Sequence, residues 1–386
     1  MIESRDQQEN LPRQVGAVCY TFIVNGAVFG TWVSRIPAIQ TKLSLSEAAL
    51  GIVLLGLSAG VMAGLALASG WIVRLGSKTV AAYSCSVMCM ILPGLALAEN
   101  AAALWPLLFL FGGAASVMDV AMNDQAVFVE RLARRPFMSR FHGAFSIGGL
   151  IGALLGAAFA GANVTPVVHF ITISILFGLG MMIAARQLLP QTEVHENPGP
   201  AFCIPDRALW GIGAVALISA VAEGAMADWS AVYLAEVLDS TEGTAALGFA
   251  AYSMAMTAAR LSGDHLKTRF SPVNIVRTGG LIAAAGLAVV VFSSHAALTL
   301  AGFTIIGLGL ANIIPIAFTA AGNYPGIPSS IGIAAVAAIG YTGFLASPPV
   351  IGLLAHATSL RIAFASMVVL LVTLPAIASA VSAKKS

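Results

Sequence analysis

The chain has 386 residues, of which 58% are hydrophobic and only 9% are charged. So few charges cannot cover the surface of a soluble protein of this length, and lipid must therefore solvate most of it. The net charge of +2, with no basic stripe, excludes a nucleic-acid-binding protein. The four cysteines have no disulfide or metal spacing, and no cofactor is indicated.

Twelve apolar stretches approach or exceed the roughly 20 residues that cross the hydrocarbon core of a bilayer. The first six lie near 15–38, 47–73, 78–98, 103–130, 138–161 and 164–187. The last six lie near 208–235, 245–263, 273–294, 297–321, 328–355 and 360–382. Residues 188–207 hold four prolines and form the one linker-like stretch. We predict an all-α membrane protein with six-helix bundles at 1–187 and 208–386, joined by a cytoplasmic linker at 188–207.

The two sets of spans repeat each other weakly at an offset of about 197 positions. Residues 48–51, Ala-Ala-Leu-Gly, recur at 245–248, and Trp32 recurs as Trp229. Two pseudo-symmetric halves of six spans are typical of secondary transporters.

Small residues mark a predicted helix contact in each half. Gly148, Gly152 and Gly156 recur every four residues on the fifth span, and Gly343 and Ser347 hold the matching place on the eleventh. Such stripes let a neighbouring backbone come close, so we predict packing seams there.

The basic residues indicate the orientation. With a cytoplasmic N-terminus, 16 of the 19 lysines and arginines fall on the cytoplasmic side. Because positive charge is retained on that side, we predict that both termini face the cytoplasm and that the protein resides in a bacterial inner membrane.

Asp119 and Asn123 lie one helical turn apart near the middle of the fourth span. A charge at that depth costs at least about 2.5 kcal/mol, so it invites a functional reason. Asp119 is a candidate proton acceptor or acceptor for a solute hydroxyl, and Asn123 a candidate solute ligand. The alternative for both is a hydrogen bond to a neighbouring helix.

Glu223 lies in the middle of the seventh span, and its repeat partner on the first span is Asn25. Both residues precede a Gly-Ala pair, and polar groups at equivalent depths would face a central cavity. We predict that Glu223 binds solute and carries a proton and that Asn25 binds solute. A structural role is the alternative for each.

Two pairs of charged residues lie near predicted helix ends. Arg35 and Asp228 could form an extracellular gate, or be two separately solvated charges. Arg140 and His142, at the start of the fifth span, are either gating residues or ordinary interfacial ones.

Three further residues are candidate solute ligands. Trp229 could stack on a sugar ring or belong to the aromatic belt, and Tyr341 lies in the middle of the eleventh span. Asn312, with Pro315, interrupts the tenth span, where freed backbone groups could line a cavity.

The chain resembles the major facilitator superfamily. Residues 69–78 look like a degraded form of its loop signature between spans 2 and 3, with Val73 in place of the acid. Residues 118–123, Met-Asp-Val-Ala-Met-Asn, look like the fucose-permease-like branch, which moves sugars and polyols with protons. Residues 228–230 and 140–143 are similar to bacterial rhizopine-transport proteins. The acid expected on the first span in that branch is missing.

The resemblance implies a proton-coupled symporter for a sugar, inositol or derivative, driven by the proton gradient and not acting as an enzyme. The expected partners are a small-molecule solute, protons and lipid, and we expect the monomer to function. Efflux of amphipathic compounds is the main alternative. A non-transporting membrane sensor is a further one, although the longest polar stretch offers no room for an output domain.

Overall fold

The computed structural model describes residues 2–134, 137–190 and 209–382, and the regular structure there is helical. The predicted linker, 188–207, lies mostly outside the described residues. The helices of the first half are α1 (Ile2–Ser34), α2 (Ile36–Leu43), α3 (Glu47–Leu75), α4 (Ser77–Leu97), α5 (Ala101–Ala133), α6 (Met138–Gly161) and α7 (Pro166–Ala185). Those of the second half are α8 (Trp210–Leu238), α9 (Glu242–Leu261), α10 (Gly263–Arg269), α11 (Pro272–Phe292), α12 (Ala296–Leu310), α13 (Ile313–Gly322), α14 (Ser329–Ala357), α15 (Leu360–Val372) and α16 (Leu374–Ile377).

Within the described ranges, eleven helices or joined helices are long and apolar enough to span a membrane. Helices α12 and α13 together make one such span, Ala296–Gly322, and α15 with the turns after it makes another, Leu360–Val381. Helix α9 has 20 residues and takes the twelfth place by position. It is less apolar than the spans named above because Glu242, Arg260 and several hydroxyl-bearing residues lower its mean hydropathy. The predicted all-helical architecture of twelve spans is confirmed.

The predicted interruption of the tenth span is confirmed as well. Helix α12 ends at Leu310, and α13 begins at Ile313, so Ala311 and Asn312 lie at the break. Pro315 has no N–H to give to the carbonyl of Ala311, the acceptor four residues earlier. That carbonyl is therefore released for another donor.

The described helices form two compact units. One contains α1, the part of α3 from Gly56 onward, and α4–α7. The other contains α2, the part of α3 up to Leu55, and α8–α16. Residues 36–55, hereafter the strap, thus pack with the second unit although the chain on both sides of them packs with the first.

Each unit contains the predicted glycine seam. In the first, α6 lies so close to α1 that a Cβ at Gly148 or Gly152 would overlap a backbone carbonyl of α1. In the second, a Cβ at Gly343 of α14 would come within 2.8 Å of the Leu217 carbonyl of α8. Ser347 adds a hydrogen bond of 3.0 Å from its Oγ to the Val221 carbonyl. Both predicted seams are confirmed.

Candidate functional site

The polar cluster of the first unit lies on α5. The Asn123 amide donates to the Asp119 carbonyl oxygen at 2.8 Å and, at 3.4 Å, to its carboxylate. Both side chains are partly exposed. The spacing of four residues aligns the two groups on one helix face, as the sequence indicated. The carboxylate keeps acceptor capacity for a proton or for a hydroxyl of a solute.

Asn25 on α1 is buried and is used to join helices. Its amide nitrogen donates to the Ala115 carbonyl of α5 at 3.2 Å and lies 3.7 Å from the Met122 sulfur. This arrangement fixes α1 against α5, the helix that carries Asp119. A solute-binding role for Asn25 would require the amide to exchange these contacts.

The polar cluster of the second unit centres on Glu223 of α8. Arg260 of α9 places Nη2 at 3.3 Å from the Glu223 carboxylate, and the Ser219 hydroxyl donates to the same carboxylate at 3.5 Å. The Glu223 side chain is 13% exposed and that of Arg260 39% exposed. The carboxylate is therefore held by a cation on a neighbouring helix.

Arg260 also connects this cluster to the break between α12 and α13. Its Nε donates at 3.3 Å to the Ala311 carbonyl, the group that Pro315 leaves without its helical donor. Asn312 in turn donates to the Ala259 carbonyl at 3.3 Å. Two side-chain hydrogen bonds thus hold the broken span against the end of α9.

Tyr252, about two turns before Arg260 on α9, has a buried hydroxyl without a hydrogen-bond partner among the described residues. An unpaired buried hydroxyl is costly, so it is a ready donor or acceptor for a solute group or a water molecule.

The remaining candidates of the second unit differ in exposure. Asp228 and Trp229 are buried, and the Trp229 indole nitrogen has no hydrogen-bond partner in the described part of the chain. This burial is unlike that of an interfacial belt residue, which keeps its polar edge in water. Tyr341 on α14 is partly exposed.

The gating candidates of the first unit lie at its two ends. Arg35 is buried at the end of α1 and donates to the Val164 carbonyl at 2.8 Å. Arg140 is exposed and lies over the Phe137 ring at 5.4 Å, and the exposed His142 packs edge-on against Phe22. The pairing of Arg35 with Asp228 stays a prediction.

The strap carries contacts that sequence reasoning did not find. Its Gln40 amide donates to the Glu236 carboxylate at the end of α8. Glu47, at the start of α3, lies 3.4 Å from the His356 ring at the end of α14. One turn after Glu47, Gly51 packs against Gly352 so closely that neither has room for a Cβ, which would meet the backbone carbonyl of Pro348 or of Glu47.

Arg260 was also missed as a partner, because sequence reasoning counted it only among the cytoplasmic basic residues. The signal that could have found it was Pro315, which frees a carbonyl that needs a donor. No comparable signal exists for the strap, since its partners lie about 200 and 300 residues away in the chain. Among the described residues, no cluster of three or more metal-ligating side chains is present.

Membrane-spanning helices in both units, with acidic and amide groups along them, define a multi-pass integral membrane protein. Residues 126–330, just over half of the chain, match the family model of the Major Facilitator Superfamily. The chain belongs to that superfamily.

Two sequence relatives of this chain align with it over most of its length. An uncharacterized MFS-type transporter of Yersinia pestis is 33% identical over 381 residues, covering 99% of each chain. An uncharacterized transporter of Sinorhizobium fredii is 35% identical over 346 residues, 89% of this chain and 91% of that one. The crystal structure of the nucleoside transporter NupG superposes with a TM-score of 0.74 at 13% identity, covering 94% of this chain and 98% of that one. At that identity the likeness shows the fold alone.

Proposed function

We propose that this protein is a secondary active transporter that moves a small polar solute, such as a sugar, inositol or derivative, by proton-coupled symport. The observation that carries the proposal is the Asp119–Asn123 pair, a partly exposed carboxylate with an amide one turn away inside a membrane span. Hydroxyl-rich solutes are bound by such acceptor and donor groups.

The coupling follows from the cost of moving a charge through lipid. An unloaded carrier with ionised Asp119 carries an uncompensated charge in the membrane, which costs at least about 2.5 kcal/mol. Protonation together with solute binding removes that charge, so the loaded carrier reorients more easily. Glu223 is the second candidate proton carrier. A proton on its carboxylate would have to displace the ion pair that this carboxylate forms with Arg260.

The proposal includes orientation and assembly. The protein lies in the bacterial inner membrane with both termini in the cytoplasm, works as a monomer, and uses the proton gradient without a cofactor. The distribution of lysine and arginine supports this orientation. A reporter enzyme that is active only outside the cytoplasm should show no activity when it is fused to the C-terminus. Reporter activity would place the C-terminus outside the cytoplasm and contradict the proposed orientation.

The test is a thermal-shift panel on detergent-purified protein at two pH values. It compares the wild type with Asp119→Asn, and uses Glu99→Gln, an exposed loop acid, as the matched control. Sugars, inositols, amino sugars, nucleosides and amphipathic cations are the probes, nucleosides being included because of the similarity to NupG. Binding raises the melting temperature by mass action.

A shift with one polar solute, reduced in Asp119→Asn and retained in Glu99→Gln, supports the proposal and names the solute class. If only amphipathic cations raise the melting temperature, the result favours efflux of amphipathic compounds over symport of a polar solute. If a polar solute raises the melting temperature of Asp119→Asn as much as that of the wild type, Asp119 is not part of the solute site.

A further inference from the structure

The first unit contains an apolar groove that the transport mechanism does not use. It lies between α3, α4 and α5 and has a volume of about 420 Å³. This volume falls within the roughly 300–1,000 Å³ of small-molecule sites. Its lining residues are apolar apart from Ser84 and the hydroxyl of Tyr83.

The groove exists because small residues bring α3 and α5 together at its floor. A Cβ at Gly60 or Gly64 would overlap the carbonyl of Phe109 or Gly113. Beside this contact, Ala114 and Val117 are buried, whereas Leu67 and Trp71 on the rim are exposed. The floor is therefore rigid backbone, and the rim is open to the surrounding lipid.

The dimensions fit an acyl chain. Lining residues of α3 run from Gly60 to Leu75, which at 1.5 Å per residue is roughly 22 Å. One leaflet contributes about half of a hydrocarbon core of about 30 Å. The groove is thus long enough for a whole chain lying along the helices.

On the two lining helices α3 and α4, positive charge lies at the turn that joins them. Leu75 and Val80, at the α3–α4 turn, are flanked in the chain by Arg74 and Lys78. The Lys78 ammonium donates at 3.5 Å to the backbone carbonyl of Arg186, so the backbone of a third basic residue also lies at this end of the groove. The chain has no Asp or Glu between Glu47 and Glu99. Such a basic cluster beside an apolar surface attracts anionic lipid headgroups.

We propose that this groove is a binding site for one anionic glycerophospholipid, with its phosphate at Arg74 and Lys78 and one acyl chain along Leu67 and Trp71. The site does not depend on the identity of the transported solute or on proton coupling. Trp71, on the rim of the groove, provides a direct optical probe of occupancy.

The experiment uses purified full-length protein in phosphatidylcholine vesicles with increasing amounts of brominated phosphatidylglycerol or brominated phosphatidylcholine. Bromine quenches tryptophan fluorescence on contact, and the Trp71→Phe variant isolates the signal of Trp71. Half-quenching should need several-fold less brominated phosphatidylglycerol than brominated phosphatidylcholine, up to about fivefold for each basic residue at the headgroup.

Three variants separate the headgroup, the groove and general surface charge. Arg74→Gln with Lys78→Gln should abolish the preference for phosphatidylglycerol. Ala63→Phe, which fills the groove, should weaken quenching by both lipids. The matched control, Arg269→Gln with Arg277→Gln, removes two exposed basic residues of the second unit and should leave the Trp71 signal unchanged.

Equal quenching by the two lipids, unaffected by Arg74→Gln with Lys78→Gln, would make the groove an ordinary lipid-facing surface and overturn the proposal. Absence of quenching by either lipid would show that something other than lipid fills it, which also overturns the proposal. Solute-induced thermal shifts are a separate readout, so failure here leaves the transport proposal standing.

Discussion

The acids of the two units are held in different ways on similar helical frameworks. Asp119 in the first unit contacts an amide on its own helix, whereas Glu223 in the second contacts a guanidinium on a neighbouring helix. Among the described residues no cation contacts Asp119, and Asn123 carries no charge, so a proton or a cationic solute group would neutralise it. Glu223 already has a counter-ion. The pseudo-symmetry of the fold therefore does not extend to its chemistry, and under the symport we propose the first unit is the better place for proton uptake.

The largest expected effect follows directly from this difference. Asp119→Asn fixes the site in a neutral state, so the proton gradient should no longer drive solute accumulation in proteoliposomes. The roughly 2.5 kcal/mol charge penalty corresponds to about a 70-fold change in the reorientation equilibrium. Solute exchange without a gradient should persist. Glu223→Gln, which can still accept from Arg260, is the control and should reduce accumulation less. If Glu223→Gln reduced accumulation more than Asp119→Asn, the result would assign the proton to Glu223 instead of Asp119.

Arg260→Gln tests the second unit. It removes the counter-ion of a largely buried carboxylate and the donor to the Ala311 carbonyl, so we expect a loss of about 2 kcal/mol in the free energy of unfolding. Adding Glu223→Gln should restore part of it, because no unpaired charge then remains. Thermal or denaturant unfolding of the four proteins in a double-mutant cycle measures the coupling. Strictly additive losses would mean that the two residues do not interact.

The glycine seams give a smaller contrast between the units. Gly148→Ala places a methyl group against a backbone carbonyl that cannot move aside, and overpacking of this kind costs about 1–3 kcal/mol. Gly343→Ala meets a contact at 2.8 Å and should cost less. Gly70→Ala, at a glycine with open space around it, is the control. Equal melting temperatures for Gly148→Ala and Gly70→Ala would exclude the tight seam.

The smallest effect is expected at the strap. Glu47→Gln should lower the free energy of unfolding by only about 0.5 kcal/mol, because the side chains of the Glu47–His356 pair are 30% and 59% exposed. His356→Gln should have the same effect, and the double variant should be no worse than either single one. A loss of several kcal/mol in either variant would show that this pair holds the strap in place.

Much of the fold could be predicted because lipid imposes a strong rule on sequence. Each span must satisfy its backbone internally, so length and hydropathy predict its position closely. Helix α9 is harder to predict in this way, because Glu242, Arg260 and its hydroxyl-bearing residues lower its mean hydropathy. The break at Ala311 was also predictable, since Pro315 removes one hydrogen bond at a known place.

The candidate site was predictable only where its residues are local in sequence. Asp119 and Asn123 are one turn apart, so helix periodicity alone aligns them. The pairing of Glu223 with Arg260 depends on how α8 packs against α9, and hydropathy contains no information about that packing. The contacts of the strap are harder still to predict from the sequence, because they join residues about 200 and 300 positions apart.

The strap also has a consequence for biosynthesis. Its residues are made early, yet Gly51 packs against Gly352, about 300 residues later in the chain. At the roughly 5–20 residues per second of translation, this partner appears on the order of 15–60 s afterwards. During that interval the N-terminal end of α3 has none of its final contacts with α14. Assembly of the protein in the membrane is therefore completed only when nearly the whole chain has been inserted.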